Sequence, residues 1–350
     1  MTKEKQKASL TFFTMIQRFL LDYMPNQRCM SENTIQSCRD SLNLLLDYMT
    51  DIKYIPISKI SFSNFDIEIV TGFLNWLGSE RHCSGTTINQ RLSCIRSFFK
   101  YAAFKDVALI ATWNRLQLIP LRKTRDAKVM EFMSEKSLQV VLSCPDIRTN
   151  RGLRDCFYMS LLYDSAARNS ELLNLMIKGV VADRKSPYII VRGKGGKTRS
   201  IPILSKTVDM YYAYMMKFHD SDYNSDEYLF YVLHRGNKIP MSDDNVSRFI
   251  SKYGKEALGL CDEVPKKIHP HMFRRTRAMH LYRSGMPLPL LSEFLGHENS
   301  ETTMIYASAD TEMKRKAIEL ATGKNNNSSD RIQPVWQGDD EMIRKLYGLK

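Results

Sequence analysis

Apolar residues recur at the three- and four-residue spacing of an α-helix through roughly the first 115 residues of the chain. Two serines mark where the clearest helices should begin, because a serine side chain can cap a helix N-terminus. After Ser31, one helix face would carry Ile35, Leu42, Leu46 and Met49. After Ser84, one face would carry Ile88, Leu92, Ile95 and Phe99. The pattern predicts an all-α domain over residues 1–118.

The pattern changes between residues 119 and 132. Pro120 and the basic run from Arg122 to Arg125 interrupt the helical spacing and predict a linker. Helices resume at Ser134, and β-type segments at 188–191 and 199–203 flank a glycine-rich turn, which predicts a hairpin. Further helices are expected after Ser242, Pro270, Pro287 and Ser300. We therefore expect a mainly α fold with a small β-sheet, comprising the all-α domain, an α+β domain over residues 133–324 and a tail over residues 325–350.

The charge of the chain points to a polyanionic partner. Lys and Arg number 51 against 38 Asp and Glu, a net charge of +13, and residues 1–128 carry +7 of it while the remainder carry +6. Such a surplus favours binding to nucleic acid or to an anionic membrane surface. No apolar run approaches the ~20 residues of a membrane-spanning helix, so no membrane partner is expected. Seven cysteines without a CxxC pair favour reduced thiols in a cytoplasmic protein.

Several common catalytic motifs do not fit. Gly196-Lys197-Thr198 would need a glycine at position 191 to form a phosphate-binding P-loop, but Val191 stands there and a strand should follow. The histidines lack the HExxH spacing of zinc proteases, and no GxSxG marks a serine hydrolase. We therefore expect no cofactor and no metal. What remains is a hairpin that presents Lys194 and Lys197 at a glycine turn, where a phosphate backbone can approach closely.

Polar and aromatic residues in short motifs follow one another along the second half of the chain. They are Arg168, Lys194, His271, Arg274, His297 and Tyr306. Glu171 lies one helical turn after Arg168, where a carboxylate can orient a guanidinium, and His271 and Arg274 share a helix face at i, i+3. Each piece alone also fits a surface pair or a core residue. The ordered set is what indicates a catalytic site.

In this order the set resembles the tyrosine recombinase (phage integrase) family, whose catalytic residues it matches one by one. The segments 167–175, 193–195, 270–274 and 294–306 also resemble family text, and the likeness runs from residue 130 to residue 320. The 86–99 helix resembles the core-binding domain of the family more loosely. The chain departs from the family pattern at two places: Ala166 and Ala167 stand where a glycine often precedes the first arginine, and Arg275 stands where a histidine often follows the second.

The resemblance implies a C-shaped clamp of two domains on duplex DNA. It implies a site-specific recombinase that cleaves and rejoins DNA through a 3′-phosphotyrosyl intermediate and a Holliday junction. The implied nucleophile is Tyr306, with His271 accepting its proton and Lys194 protonating the departing 5′-oxygen. The residues implied to contact the non-bridging phosphate oxygens are Arg168, Arg274 and His297.

The resemblance also implies partners and a setting. These are a duplex recombination site, self-assembly to a tetramer on that DNA, an accessory directionality factor, and integration or transposition of a mobile element in the prokaryotic cytoplasm, at the nucleoid. Two alternatives stay open: a type IB-like DNA topoisomerase, which uses nearly the same residues, and a non-catalytic DNA-binding module.

Several polar and basic residues are candidates for contacts with the DNA backbone or base edges. Those on the face of the 86–99 helix opposite its apolar residues, and just after them, are Thr86, Gln90, Arg96 and Lys100; those in the linker and hairpin are Arg122, Lys123, Arg125 and Lys197. A plain solvated face would show the same pattern. In the tail, residues 312–321 and 340–347 have helical patterns, and the second of these is expected to dock on a neighbouring protomer.

Overall fold

The computed structural model describes residues 3–123, 130–193, 196–220, 222–297 and 301–309, together with residues 315, 318, 319, 341 and 344. The chain divides into two compact units, residues 1–128 and residues 129–350. Arg125, Lys194 and nearly all of the tail lie outside the described residues. The predictions made for them therefore stay predictions.

Helices build the first unit. They are α1 (Lys3–Arg18), which continues as π-helical turns over Phe19–Gln27, α2 (Glu32–Asp47), which continues over Tyr48–Ile52, α3 (Ile67–Ser79), α4 (Gly85–Lys105) and α5 (Ile110–Gln117). The side chain of Ser84 accepts a hydrogen bond from the amide of Thr87 and so caps α4. Ser31 precedes α2, and its hydroxyl lies 2.9 Å from that of Thr34. Both helices therefore begin where the serines predicted.

The apolar faces of α2 and α4 form the core of the first unit. The four residues predicted for the α4 face are at most 2% exposed: Ile88, Leu92, Ile95 and Phe99. On α2 and its extension, Ile35, Leu42 and Met49 are buried and Leu46 is partly buried. Aromatic rings close this core, with Phe12 lying 5.0 Å from Phe62 and 5.8 Å from Phe98 between ring centroids. The predicted apolar pattern is confirmed.

The second unit is mainly helical. Its helices are α6 (Glu135–Ser143), α7 (Asn150–Ser165), α8 (Asn169–Leu173), α9 (Ser205–Phe218), α10 (Asp243–Leu258), α11 (Pro270–Arg283), α12 (Leu288–Leu295) and α13 (Glu301–Ala309). Serines cap two of them, because Ser134 accepts from the amide of Ser137 and Ser242 from that of Asn245. The helices expected after Ser242, Pro270, Pro287 and Ser300 are all present. Among the described helices, none has the length and apolar composition needed to cross a bilayer.

A three-stranded antiparallel sheet lies in the second unit, in the order β1 (Val180–Val181), β2 (Tyr188–Arg192) and β3 (Thr198–Pro202). Ile189 pairs with Ile201 and Val191 pairs with Arg199. The side chains of Ile189, Val191 and Ile201 are buried, whereas Arg192 is exposed. The predicted hairpin is confirmed.

A second hairpin was not expected from the sequence. It consists of β4 (Tyr231–His234) and β5 (Asn237–Pro240). Arg235 and Gly236 form its turn with φ of 50° and 81°, the left-handed values that a two-residue hairpin turn requires. The sequence does not predict this hairpin, because a left-handed arginine and two four-residue strands give a weak pattern.

Candidate active site

The first element of the site is the junction between α7 and α8. Ala166 ends α7 in the left-handed conformation, with φ of 47°. A non-glycine residue adopts this conformation at a cost of about 1–2 kcal/mol. The turn directs the carbonyl of Ala166 toward α11, where it accepts a hydrogen bond from Nη1 of Arg274 at 2.6 Å.

Arg168 and Glu171 form a linked pair at the start of α8. One oxygen of Glu171 accepts from the backbone amide of Arg168 at 2.8 Å, and the other accepts from Nη1 of the same arginine at 2.8 Å. The carboxylate is 4% exposed, whereas the Arg168 side chain is 37% exposed. Burial opposes ionisation of Glu171, but hydrogen bonds from Arg199 and Arg168 outweigh it and hold the pKa of the carboxyl below its usual value. The carboxylate therefore orients an arginine that is partly open to solvent.

Arg274 lies at the centre of the site with 2% of its surface exposed. Its Nη2 donates to the carbonyl of Leu295 at 2.7 Å, in addition to the bond from Nη1 to Ala166. Burial and the nearby charge of Arg168 lower the pKa of Arg274 to about 10, so the guanidinium stays charged at neutral pH. Two peptide carbonyls thus fix the plane of a buried cation.

The end of α12 brings His297 to the same place. Gly296 takes the left-handed conformation with φ of 63° and ends the helix, and its carbonyl accepts from Nη2 of Arg168 at 3.2 Å. Nδ1 of His297 lies 2.9 Å from the hydroxyl of Thr303, which is 1% exposed. If that hydroxyl donates, Nε2 of His297 carries the proton and can donate it to an oxygen of the substrate.

Tyr306 lies on α13, which packs against α11 and α12. Its side chain is 2% exposed and is surrounded by Ala166, Ala278, Leu291 and Leu295, among others. Burial raises the pKa of the phenol, although the charges of Arg274 and Arg275 oppose the shift. The phenol therefore remains protonated at neutral pH.

His271 supplies a candidate base. It occupies the second position of α11, next to Pro270, and part of the residue is exposed. Partial loss of hydration, followed by the charges of Arg275 and Arg274, lowers its pKa to about 4. The ring is therefore neutral at pH 7 and able to accept a proton. The charge of Arg275 thus helps to keep His271 neutral.

The same causes act on His297 and give a testable pH dependence. Loss of hydration, Arg274 and Arg168 lower its pKa to about 4, whereas an unfolded histidine titrates near 6.5. Between these pH values the unfolded chain binds more protons, so stability falls as the pH drops from 6.5 to 4. We expect His297→Gln to remove about 1–2 kcal/mol of the stability loss between pH 7 and pH 5. Urea unfolding of both proteins at the two pH values checks this, and equal losses would contradict it.

The structure brings five of the six predicted catalytic residues into one cluster: Arg168, His271, Arg274, His297 and Tyr306. The sixth, Lys194, lies outside the described residues at the turn between β2 and β3. Lys197, in the same turn, is exposed, and its carbonyl accepts from the amide of Gly193 at 2.7 Å. Within the described chain, no group of three His, Cys, Asp or Glu side chains is arranged to hold a metal ion.

Two residues of the site were missed by the sequence reasoning, Arg199 and Thr303. Arg199 donates to both oxygens of Glu171 at 2.9 Å, and Thr303 contacts His297. The sequence signal that could have identified Arg199 is a charged residue within a strand of a β-hairpin that is half-buried. For Thr303 it was the three-residue spacing that places it one helical turn before Tyr306.

The candidate DNA-contact residues of the first unit fall into two groups. Thr86, Gln90, Lys100 and Lys123 are exposed, although the amide of Gln90 donates to Ser37 at 2.8 Å. Arg96 instead donates to the carbonyls of Leu116, Gln117 and Ile119.

Arg122 likewise serves the fold. It donates to the carbonyl of Leu74 at 2.9 Å and to the side chain of Asn75 at 2.7 Å. Arg96 and Arg122 therefore both have hydrogen-bond partners inside the unit, and their contact with DNA stays a prediction.

Comparison with known proteins matches each of the two units to a family model. Residues 131–313 match the phage integrase family, and residues 16–105 match the phage integrase N-terminal SAM-like domain. The integrase/recombinase y4rC of Sinorhizobium fredii is 28% identical over the whole of both chains. Tyrosine recombinase XerC of Bacillus subtilis is 30% identical over 67% of this chain and 74% of its own length, and XerC of Staphylococcus saprophyticus is 26% identical over 86% and 95%.

Solved structures show the same fold at low sequence identity. The Tn1549 transposon integrase in complex with transposon right end DNA is 16% identical and superposes with a TM-score of 0.64 over 88% of this chain and 99% of its own. XerH recombinase bound to palindromic difH substrate is 18% identical, with a TM-score of 0.61 over 91% and 97%. Because the family match covers the catalytic unit and most of the helical unit, the chain belongs to the phage integrase family of tyrosine recombinases and is a site-specific recombinase.

Proposed function

We propose that this recombinase cleaves DNA by attack of Tyr306 on the scissile phosphate. The phenolic oxygen forms a bond to phosphorus and the bond from phosphorus to the 5′-oxygen breaks, which leaves a 3′-phosphotyrosyl link and a free 5′-hydroxyl. His271 accepts the phenolic proton, and Lys194 protonates the departing 5′-oxygen. Attack by the 5′-hydroxyl of the partner strand reverses these steps. The phosphotyrosine keeps the bond energy, so rejoining needs no cofactor.

The observation that carries this proposal is the buried guanidinium of Arg274 beside Tyr306. Negative charge grows on the non-bridging oxygens as phosphorus becomes five-coordinate, and fixed cations stabilise that charge. Arg274 is held by two carbonyls and Arg168 by Glu171, so little reorganisation is needed when the phosphate enters. His297 is placed to donate Nε2–H to a non-bridging oxygen. These contacts support phosphoryl transfer by the five clustered residues.

Duplex DNA is the proposed partner. The charge of +13, spread over both units, is suited to contact between each unit and the phosphate backbone of a duplex. The structures of the Tn1549 integrase and of XerH were determined with DNA sites, which supports the same partner for this chain. Exchange of two sites through a Holliday junction requires four protomers, so we include a DNA-assembled tetramer in the proposal. In this tetramer the tail of each protomer docks on a neighbour. An accessory directionality factor is also part of the proposal.

We propose integration or transposition of a mobile element as the biological role, in the bacterial cytoplasm at the nucleoid. The match to the integrase/recombinase of Sinorhizobium fredii over both full lengths supports it. Resolution of chromosome dimers is the second candidate, because several XerC proteins match 86% of the chain. Footprinting on DNA that flanks the gene would separate the two, since an integrase site should lie at an element boundary and a resolution site should not.

The reaction itself can be tested on the site that footprinting defines. We expect the protein to recombine two matched sites and to form a covalent complex with a nicked duplex. A topoisomerase would relax supercoiled DNA without exchanging the two sites, and a non-catalytic module would bind and do neither. Either of the last two results would overturn the proposed reaction.

The affinity for the site should fall steeply with salt. A protein that contacts about ten phosphates has a log–log slope of affinity against salt near −9. We expect Lys100→Gln to make the slope shallower by about 0.9, as loss of one phosphate contact should. Lys53→Gln is the control, because the Lys53 ammonium lies over the ring of Tyr48 at 5.6 Å. A fluorescence titration at four salt concentrations measures the slopes, and an unchanged slope for Lys100→Gln would remove it from the DNA interface.

A further inference from the structure

Arg199 lies inside the catalytic cluster although it belongs to no part of the six-residue constellation. It stands on β3, opposite Val191, with 18% of its side chain exposed. Nη1 and Nη2 donate to the two oxygens of Glu171, each at 2.9 Å. Glu171 therefore receives four hydrogen bonds, two from Arg199 and two from Arg168. The carboxylate ties the hairpin to the arginine at the start of α8.

The surrounding backbone leaves space for this guanidinium. A Cβ on Gly296 would lie 3.0 Å from three atoms of the Arg199 guanidinium, and a Cβ on Gly193 would lie 3.3 Å from Glu171 and 3.5 Å from Arg199. Gly296 also accepts from Arg168 and precedes His297. Two glycines on different elements thus make room for one ion pair, at the point where α8, α12 and the hairpin meet.

The charges in this cluster favour a role in the reaction. The guanidinium groups of Arg168, Arg199 and Arg274 with the carboxylate of Glu171 give a net formal charge of +2 among these four groups. A phosphodiester carries one negative charge, and a second develops as phosphorus becomes five-coordinate. Without Arg199 the net charge would fall to +1. Glu171 would then receive hydrogen bonds from Arg168 but not from Arg199. Its negative charge would neutralise Arg168, the arginine that contacts the phosphate.

We propose that Arg199 is a positioning residue for DNA cleavage, which holds Glu171 so that Arg168 keeps both its orientation and its effective positive charge toward the scissile phosphate. This inference rests on the proposed reaction. Arg199 acts through Glu171 and needs no contact with DNA. It also links the hairpin that carries Lys194 to the arginine cluster.

Single-turnover cleavage of the nicked site by Arg199→Met and Arg199→Lys tests the proposal. We expect Arg199→Met to cleave about 100-fold more slowly at unchanged DNA affinity, because a small misplacement of a catalytic group has an effect of that size. Arg199→Lys keeps the charge and should recover part of the rate. On a methylphosphonate linkage, which lacks the charged non-bridging oxygen, the defect of Arg199→Met should shrink. On a 5′-phosphorothiolate, whose sulfur leaves without protonation, it should persist.

Arg277→Met is the matched control. Arg277 is 17% exposed and pairs with the buried Asp164 at 3.2 Å, and its Nε, like that of Arg199, has no hydrogen-bond partner among the described residues. We expect Arg277→Met to lower the stability of the protein. Its effect on the cleavage rate should be the same for the phosphate and the methylphosphonate substrates. Equal behaviour of the two methionine variants, or cleavage by Arg199→Met within threefold of wild type, would overturn the proposal.

A measurement without DNA separates failure of this inference from failure of the proposed reaction. Burial and the charges of Arg274 and Arg168 contribute most to lowering the pKa of His297 to about 4, and the charge of Arg199 adds a smaller lowering. NMR titration of the free protein should show a higher pKa for His297 in Arg199→Met and no change in Arg277→Met. If wild-type protein forms no covalent complex, the reaction fails while this titration still reports on Arg199. An unchanged pKa of His297 would contradict the part of the proposal in which the charge of Arg199 acts on the catalytic cluster.

Discussion

Tyr306→Phe should abolish covalent attachment of the protein to DNA while leaving folding and DNA binding nearly unchanged. The substitution removes only the hydroxyl that we propose as the nucleophile. The ring packs among Ala166, Leu291 and Leu295, and phenylalanine fills the same space. We therefore expect the free energy of unfolding to change by no more than about 1.5 kcal/mol, the scale of one hydrogen bond.

A nicked duplex that traps the cleaved strand measures the attachment, and a denaturing gel separates the covalent complex. Tyr282→Phe is the control, because Tyr282 packs against the same apolar cluster and has no proposed part in the reaction. Wild type and Tyr282→Phe should give equal amounts of complex, and peptide mapping should place the nucleotide on Tyr306. Trapping by Tyr306→Phe at the wild-type level would assign the nucleophile to another residue.

The parts of the fold that depend on local pattern could be predicted from the sequence. The burial of Ile88, Leu92 and Ile95 follows from their helical spacing, because one face of a helix must meet the core. The clustering of Arg168, Arg274 and Tyr306 was instead predicted from the order of the motifs along the chain. Their separation along the chain alone gives no spatial information.

Contacts that depend on tertiary structure could not be predicted. Arg96 lies on the polar face of α4, and only the folded chain places the carbonyls of Leu116, Gln117 and Ile119 within its reach. The same holds for Arg199, whose partner Glu171 lies on another element. A charged residue beside an apolar face has the same pattern whether it meets water, DNA or an ion pair.

Arg274→Met should reduce the cleavage rate by at least about 10³-fold, at the upper end of the effect of removing one donor to a developing oxyanion. The loss should greatly exceed any loss of stability, because two effects on folding oppose each other. The carbonyls of Ala166 and Leu295 lose their donors, at a cost of about 1–3 kcal/mol each. Against this loss, the variant no longer keeps a cation in the core. Burial and the charge of Arg168, which lower the pKa of Arg274 to about 10, make that cation unfavourable for folding. We expect stability to stay within about 2 kcal/mol of wild type.

Single-turnover cleavage and urea unfolding, measured on the same preparation, check this prediction. Arg277→Met is again the control, because Arg277 lies on α11 as well, and its pairing with Asp164 should affect stability more than cleavage. Arg274→Met should therefore lower mainly the cleavage rate, whereas Arg277→Met should lower mainly the urea concentration at the midpoint of unfolding. If Arg274→Met instead unfolds at much lower urea and regains its rate on cooling, Arg274 serves the fold. A buried cation would then be retained for packing, and the electrostatic part of the proposed reaction would have to come from Arg168 and His297 alone.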